Sequence, residues 1–115
     1  MTIQYKNQGF LQSGTGATTV LTCPIDATII IKSIYCSNND ASSAIEVIAQ
    51  LTDSSASTDF EFFRDEISAK SQVNAAPQGI NLEASDAIKI IATTGSNKIQ
   101  GVISYAQIDR SQENG

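Results

Sequence analysis

The chain has 115 residues, enough for one domain built on one core. It is 41% hydrophobic and only 17% charged, which argues against disorder; Ser, Thr, Asn, Gln and Ala stand where charges usually do, as on surfaces that pack on other proteins. Net charge is −5, the seven basic residues are scattered, and no apolar run approaches a membrane span, so neither nucleic acid nor membrane is an expected partner.

Residues 1–17 read as an extended N-terminal arm. Ile3 and Tyr5 lie in a stretch that can be extended, whereas Gly9, Gly14 and Gly16 confer flexibility. The first ten residues lack the regions of a signal peptide, so the expected route is non-secretory. Residues 18–23 are β-branched and end at Pro24, where a ladder stops. Residues 28–37, TIIIKSIYCS, form the strongest strand of the sequence, followed by a loop of turn formers, NNDASS. Residues 44–53 alternate, with Ile45, Val47, Ala49 and Leu51 on one side, the period of a half-buried strand.

Residues 58–67, TDFEFFRDEI, hold three of the four Phe residues and are expected to carry core or interface. Residues 68–76 are polar and weakly patterned. Residues 79–91, GINLEASDAIKII, give an extended segment, a tight acidic turn at Glu83 to Asp86, and an apolar strand. Residues 98–109 form the closing strand, in which Gly101 suggests a bulge or a close backbone approach. Residues 110–115 are a polar tail. Seven or eight strands with turns every eight to twelve residues predict an all-β, antiparallel β-sandwich, immunoglobulin-like or jelly-roll-like, over residues 18–109.

Alternation within residues 28–36 puts Ile29, Ile31 and Tyr35 on one side and Ile30, Ile34 and Cys36 on the other. An isolated sandwich strand has one polar face, so this surplus suggests a covered outer face. The alternative is a central strand lying under a loop or under the arm.

Chemistry is sparse. There is no His, which removes the commonest acid–base and metal schemes. Glu61, Asp65, Glu66, Glu83 and Asp86 sit where solvated or turn-capping carboxylates are ordinary. The Asn38 to Asp40 and Asp53 to Ser55 stretches lack the ligand density of a calcium loop. Ser and Thr have no activating base. No catalytic residue, cofactor or metal is expected. Cys23 and Cys36 could face each other on neighbouring strands and pair, but two cysteines in a chain made outside the secretory route read first as reduced, partly buried thiols.

The motifs TTVLTCP, TIIIKSIYCSNND, IEVIAQLTDSS, INLEASDAIKI and VISYAQI, in that order, resemble a group of small β-sandwich structural proteins of tailed bacteriophages, of the cyanophage and marine phage type. The likeness spans residues 18–109 and departs at Ser85, where the family commonly has Gly. It implies a non-enzymatic virion component, first of all a capsid decoration (cement) protein. Such a protein is assembled in the bacterial host cytoplasm, is homo-oligomeric with a trimer favoured, and partners the major capsid protein or other virion proteins. The candidate contact residues are Ile3 and Tyr5 in the arm and Phe60, Phe62 and Phe63 on the aromatic strand. A neck, tail or fibre-associated protein is the nearest alternative. A carbohydrate-binding module is another, with Tyr5, Tyr35 and Tyr105 as the available rings.

Overall fold

The computed structural model describes residues 2–95 and 97–110. Among these, every regular element is a strand. The strands are β1 (Thr2–Gln12), β2 (Ala17–Thr22), β3 (Ala27–Asn38), β4 (Ile45–Asp53), β5 (Thr58–Ile67), β6 (Gln72–Asn74), β7 (Ile80–Leu82), β8 (Ala87–Ala92) and β9 (Ile99–Asp109). All pairings are antiparallel and fall into two sheets. One runs β1-β9-β3-β6, with β7 also on β3; the other runs β2-β8-β4-β5. The all-β sandwich expected from turn spacing is therefore the observed architecture.

The core lies between the sheets. β3 and β9 contribute Ile29, Ile31, Ile34, Cys36, Ile99, Ile103 and Tyr105; β4 and β8 contribute Ile45, Val47, Ala49, Ile88, Ile90 and Ala92. Each fully buried Ile contributes about 1.5–3 kcal/mol. Gly101 sits at the closest approach. A Cβ there would lie 2.0 Å from the Tyr35 carbonyl oxygen and 2.7 Å from the Phe10 ring. The expectation of a close backbone approach is met, and β9 pairs β1 through Gly101 without a register shift.

The face assignment for β3 needs correction. Its register against β9 shifts between Ile31 and Ser33, so Lys32 is an extra, unpaired residue. One inserted residue moves every later side chain to the opposite face. Ile29 and Ile31 before the bulge, and Ile34 and Cys36 after it, thus all point into the core. Ile30 and Tyr35 alone are left as large apolar residues on the outer face of this strand. Two similar shifts leave Val20 extra in β2 and Phe62 extra in β5.

The N-terminal segment is extended, as expected, but it is a member of the sheet rather than a free arm. β1 pairs β9 along its whole length, from Thr2 opposite Asp109 to Gln12 opposite Ile99. At its end Gln12 is buried and donates Nε2 to the Gly16 carbonyl, while its own carbonyl accepts from Asn97 N at 3.1 Å. The weakly patterned stretch contains β6, which pairs through its backbone with Tyr35 to Ser37. Asn74 Oδ1 accepts from Ile34 N and Ala76 N, both at 3.0 Å, and so closes the edge of β3 beside the bulge. The expected tail lies, from residue 111, outside the described residues. Arg110 N donates to the Asp26 carbonyl at 2.8 Å.

Candidate interaction surface

Strand alternation decides what each sheet shows to solvent. On the β1-β9-β3 sheet the outward rows are Ile3, Tyr5, Asn7, Gly9 and Leu11 on β1, and Gln100, Val102, Ser104, Ala106 and Ile108 on β9. On β3, Thr28, Ile30, Ser33, Tyr35 and Ser37 oppose the outward residues of β9, and the extra residue Lys32 is exposed beside them. Ile3, Tyr5, Leu11, Ile30, Tyr35 and Val102 are 41–81% exposed, and among the described residues only Ile25 and Phe60 are large, apolar and exposed elsewhere. Lys32 is the one charged residue in these rows. The face is thus a three-strand apolar and amide surface without a charge pattern. Scattered apolar residues need no explanation, but their concentration on one sheet does.

The opposite outer face differs in kind. Arg64 donates to Glu61 through Nε at 2.9 Å and Nη2 at 2.7 Å, and Nη1 reaches Glu46 at 3.4 Å. Lys89 Nζ lies 3.1 Å from Asp59 Oδ2. Bonding to the guanidinium holds the Glu61 carboxyl below its ordinary range. Asp59 is lowered first by the Thr52 hydroxyl and then by Lys89. These groups are solvated, so the pairs add little to stability. They mark this face as one built for water.

Asp86, Asn38, Asp40, Asp53 and Asp65 bond within the chain. Asp86 is buried in the tight turn: Oδ2 accepts from Glu83 N at 2.9 Å, and Oδ1 accepts from Ser54 N at 3.0 Å. Ser85 in that turn has φ +69°, the left-handed conformation that a Gly would adopt without strain. Asn38 is buried and donates to the Ser43 and Ile67 carbonyls, each at 2.9 Å, while its Oδ1 accepts from Asp40 N at 2.9 Å. Asp40 and Asp53 close their own loops by accepting from Ser42, Ser43, Ser55 and Ala56 backbone N–H groups. Asp65 accepts from Glu66 N. Among the described residues no three metal-ligating side chains gather. Cys23 and Cys36 are both free and buried, and burial pushes the Cys36 thiol up to about 12.

The five contact candidates separate. Ile3 and Tyr5 lie on the apolar outer face of the β1-β9-β3 sheet. Phe62 and Phe63 pack against the core instead, because the bulge at Phe62 lets two successive rings turn inward. Phe60 is half exposed on β5, in the other sheet. Leu11, Ile30, Tyr35 and Val102 complete the surface around Ile3 and Tyr5. The apolar surplus of residues 28–36 was the sequence signal for it.

No protein-family model matches the chain, and neither does any curated protein sequence. Solved structures do share its fold. A chain in the acidic stable capsid structure of Helicobacter pylori bacteriophage KHP30 superposes with TM-score 0.58 at 14% identity, over 96% of this chain and 90% of that one. The Drosophila NLP core, described for pentamer formation and histone binding, gives 0.52 at 14%, over 95% and 100%. A chain from the Bacillus endospore appendages, a family of disulfide-linked pili, gives 0.51 at 10%, over 96% and 90%. At such identities the likeness establishes a common β-sandwich, one that a phage capsid and a pilus both contain.

Proposed function

We propose that this chain is a non-enzymatic structural protein of a phage virion, a decoration or cement protein that sits on the capsid and stabilises contacts between capsid subunits. The observation that carries the reading is the asymmetry of the two outer faces. An apolar surface of Ile3, Tyr5, Leu11, Ile30, Tyr35 and Val102, with Lys32 its one charge, backs onto a solvated, ion-paired one. The apolar face docks on the shell and the charged face meets water. A shell repeats its subunits, so a modest contact made by each copy is multiplied across linked copies. The resemblance to tailed-phage proteins and the fold shared with a phage capsid chain of similar length support the same assignment.

The test is quantitative mass spectrometry of purified particles, counting this protein against the major capsid protein. Comparable copy numbers are expected. A few copies per particle would place it at the neck or tail, and absence from the particle would overturn the virion reading.

A further inference from the structure

The edges of the two sheets are not treated alike. β5 carries five charged residues and the Phe62 bulge. β2 has six residues and the Val20 bulge, and β6 and β7 have three residues each. Shortness, charge and bulges are the means by which sheet edges avoid pairing with other chains. β1 has the least of them. It is eleven residues long, without proline and without a shift against β9, and its one charge, Lys6 in the inward row, is the single such device it carries.

The direction of its backbone groups follows from the bonds at the strand ends. The Gln12 carbonyl accepts from Asn97 N, on the β9 side. Lys98 and Arg110, which flank β9, turn their backbone groups the other way, to Asn39 and Asp26 at the ends of β3. Alternation then gives the β1–β9 ladder to the even-numbered residues of β1. Ile3, Tyr5, Asn7, Gly9 and Leu11 present their N–H and C=O groups at the free edge. The Gly9 carbonyl there accepts from Gln8 Nε2 at 3.1 Å, a solvent-exposed side-chain contact.

We propose that the free edge of β1 pairs antiparallel with β1 of a second copy of this chain, about a twofold axis at Asn7. The two outer faces stay on one side only when outward residues oppose outward residues. Centred on Asn7, Ile3 meets Leu11 of the second copy, Tyr5 meets Gly9, and Asn7 meets its own equivalent. Lys6 falls opposite Gln8, so no like charges stand directly opposite one another although each chain carries −5; the two Lys6 residues are diagonal neighbours, about 7–8 Å apart. Every free-edge residue both donates and accepts.

Gly9 gives independent support. A Cβ there would make an ordinary 3.8 Å contact with the Gly101 carbonyl oxygen, and the residue has no positive φ, so nothing among the described residues requires glycine. Opposite a tyrosine, the missing side chain leaves backbone for the ring to cover, a pairing known to suit strands. The outcome is one continuous sheet through two sandwiches, with the apolar rows joined side by side. An isologous twofold contact then takes the place of the trimer that the family resemblance implies. The pairing rests on the docking role of the face only in what it is for.

Sedimentation velocity of the full chain tests it. The wild-type protein at high micromolar concentration is expected at twice its 12.2 kDa mass. Asn7→Lys and Asn7→Asp each place like charges at the twofold axis and should weaken association at least about tenfold. An equimolar mixture of the two should restore it. Tyr35→Ser, on the face but away from the edge, should remain dimeric while losing shell binding, which separates failure of the pairing from failure of the docking role. A monomeric wild-type protein, or Asn7 variants that dimerise as well as wild type, would overturn the proposal. So would a mixture no tighter than its components.

Discussion

Deleting Lys32 tests the face assignment more severely than any substitution. Lys32 is exposed and makes no core contact, yet its presence as an extra residue sets which side of β3 is buried. Without it, β3 cannot keep Ile29 and Ile31 inward together with Ile34 and Cys36. Whichever half keeps its register, the other turns its buried apolar side chains to water, Ala27, Ile29 and Ile31 before the bulge or Ile34 and Cys36 after it. At about 1.5–3 kcal/mol for each Ile, the loss is roughly 3–6 kcal/mol in the first case and about 1.5–3 kcal/mol, with a smaller addition from Cys36, in the second. Either is a large fraction of the stability of an ordinary domain, about 5–15 kcal/mol. Lys32→Ala keeps the residue count and should cost less than about 0.5 kcal/mol. Urea denaturation of the three proteins, followed by circular dichroism, measures both changes. A deletion variant within about 1 kcal/mol of wild type would refute the reasoning, since the bulge would then not be what fixes the register.

Three further predictions follow from the core and the loops. Gly101→Ala drives a methyl group against the Tyr35 carbonyl at 2.0 Å and should destabilise by about 3 kcal/mol, the upper part of the overpacking range, as read from thermal melting. Asn38→Ala removes both donors that satisfy the Ser43 and Ile67 carbonyls; a loss of about 2–3 kcal/mol in urea titration is expected, and a neutral result would contradict the buried role of Asn38. Cys36 binds its proton more tightly when folded, with a folded value of about 12 against an ordinary 9.0, so its contribution is present below pH 9 and lost as pH rises towards 12. Between those values stability should fall by up to about 1.4 kcal/mol per pH unit more in wild type than in Cys36→Ala, measured by paired denaturant titrations.

Most of the fold was legible because burial on one face leaves a period of two. The strands at residues 28–37, 44–53, 58–67 and 98–109 were found within a residue or two of their observed ends for that reason. Bulges were not legible. Lys32, Val20 and Phe62 carry no residue signature of an insertion, and one unpaired residue reverses the parity on which face assignment depends. β1 read as an arm because its partner, β9, is about a hundred residues away in the chain, and pairing through backbone groups leaves no trace in composition. β6 escaped for a related cause: it is held by its backbone and by Asn74, with Val73 its one apolar side chain on the core. Of the five contact candidates, Ile3 and Tyr5 are exposed, whereas Phe62 and Phe63 pack on the core; large aromatic residues suit a core and an interface equally, and only the register distinguishes them.

The central claim, that the apolar face of the β1-β9-β3 sheet is covered in the particle, is open to a direct measurement. Both native thiols are buried, so a single introduced cysteine can be labelled selectively. Val102→Cys places a thiol on the apolar face and Glu66→Cys places one on the charged sheet. In the free protein both should react with a maleimide at comparable rates. In purified particles Val102→Cys should be protected while Glu66→Cys reacts as before. Equal labelling of Val102→Cys in particles and in solution would contradict the account.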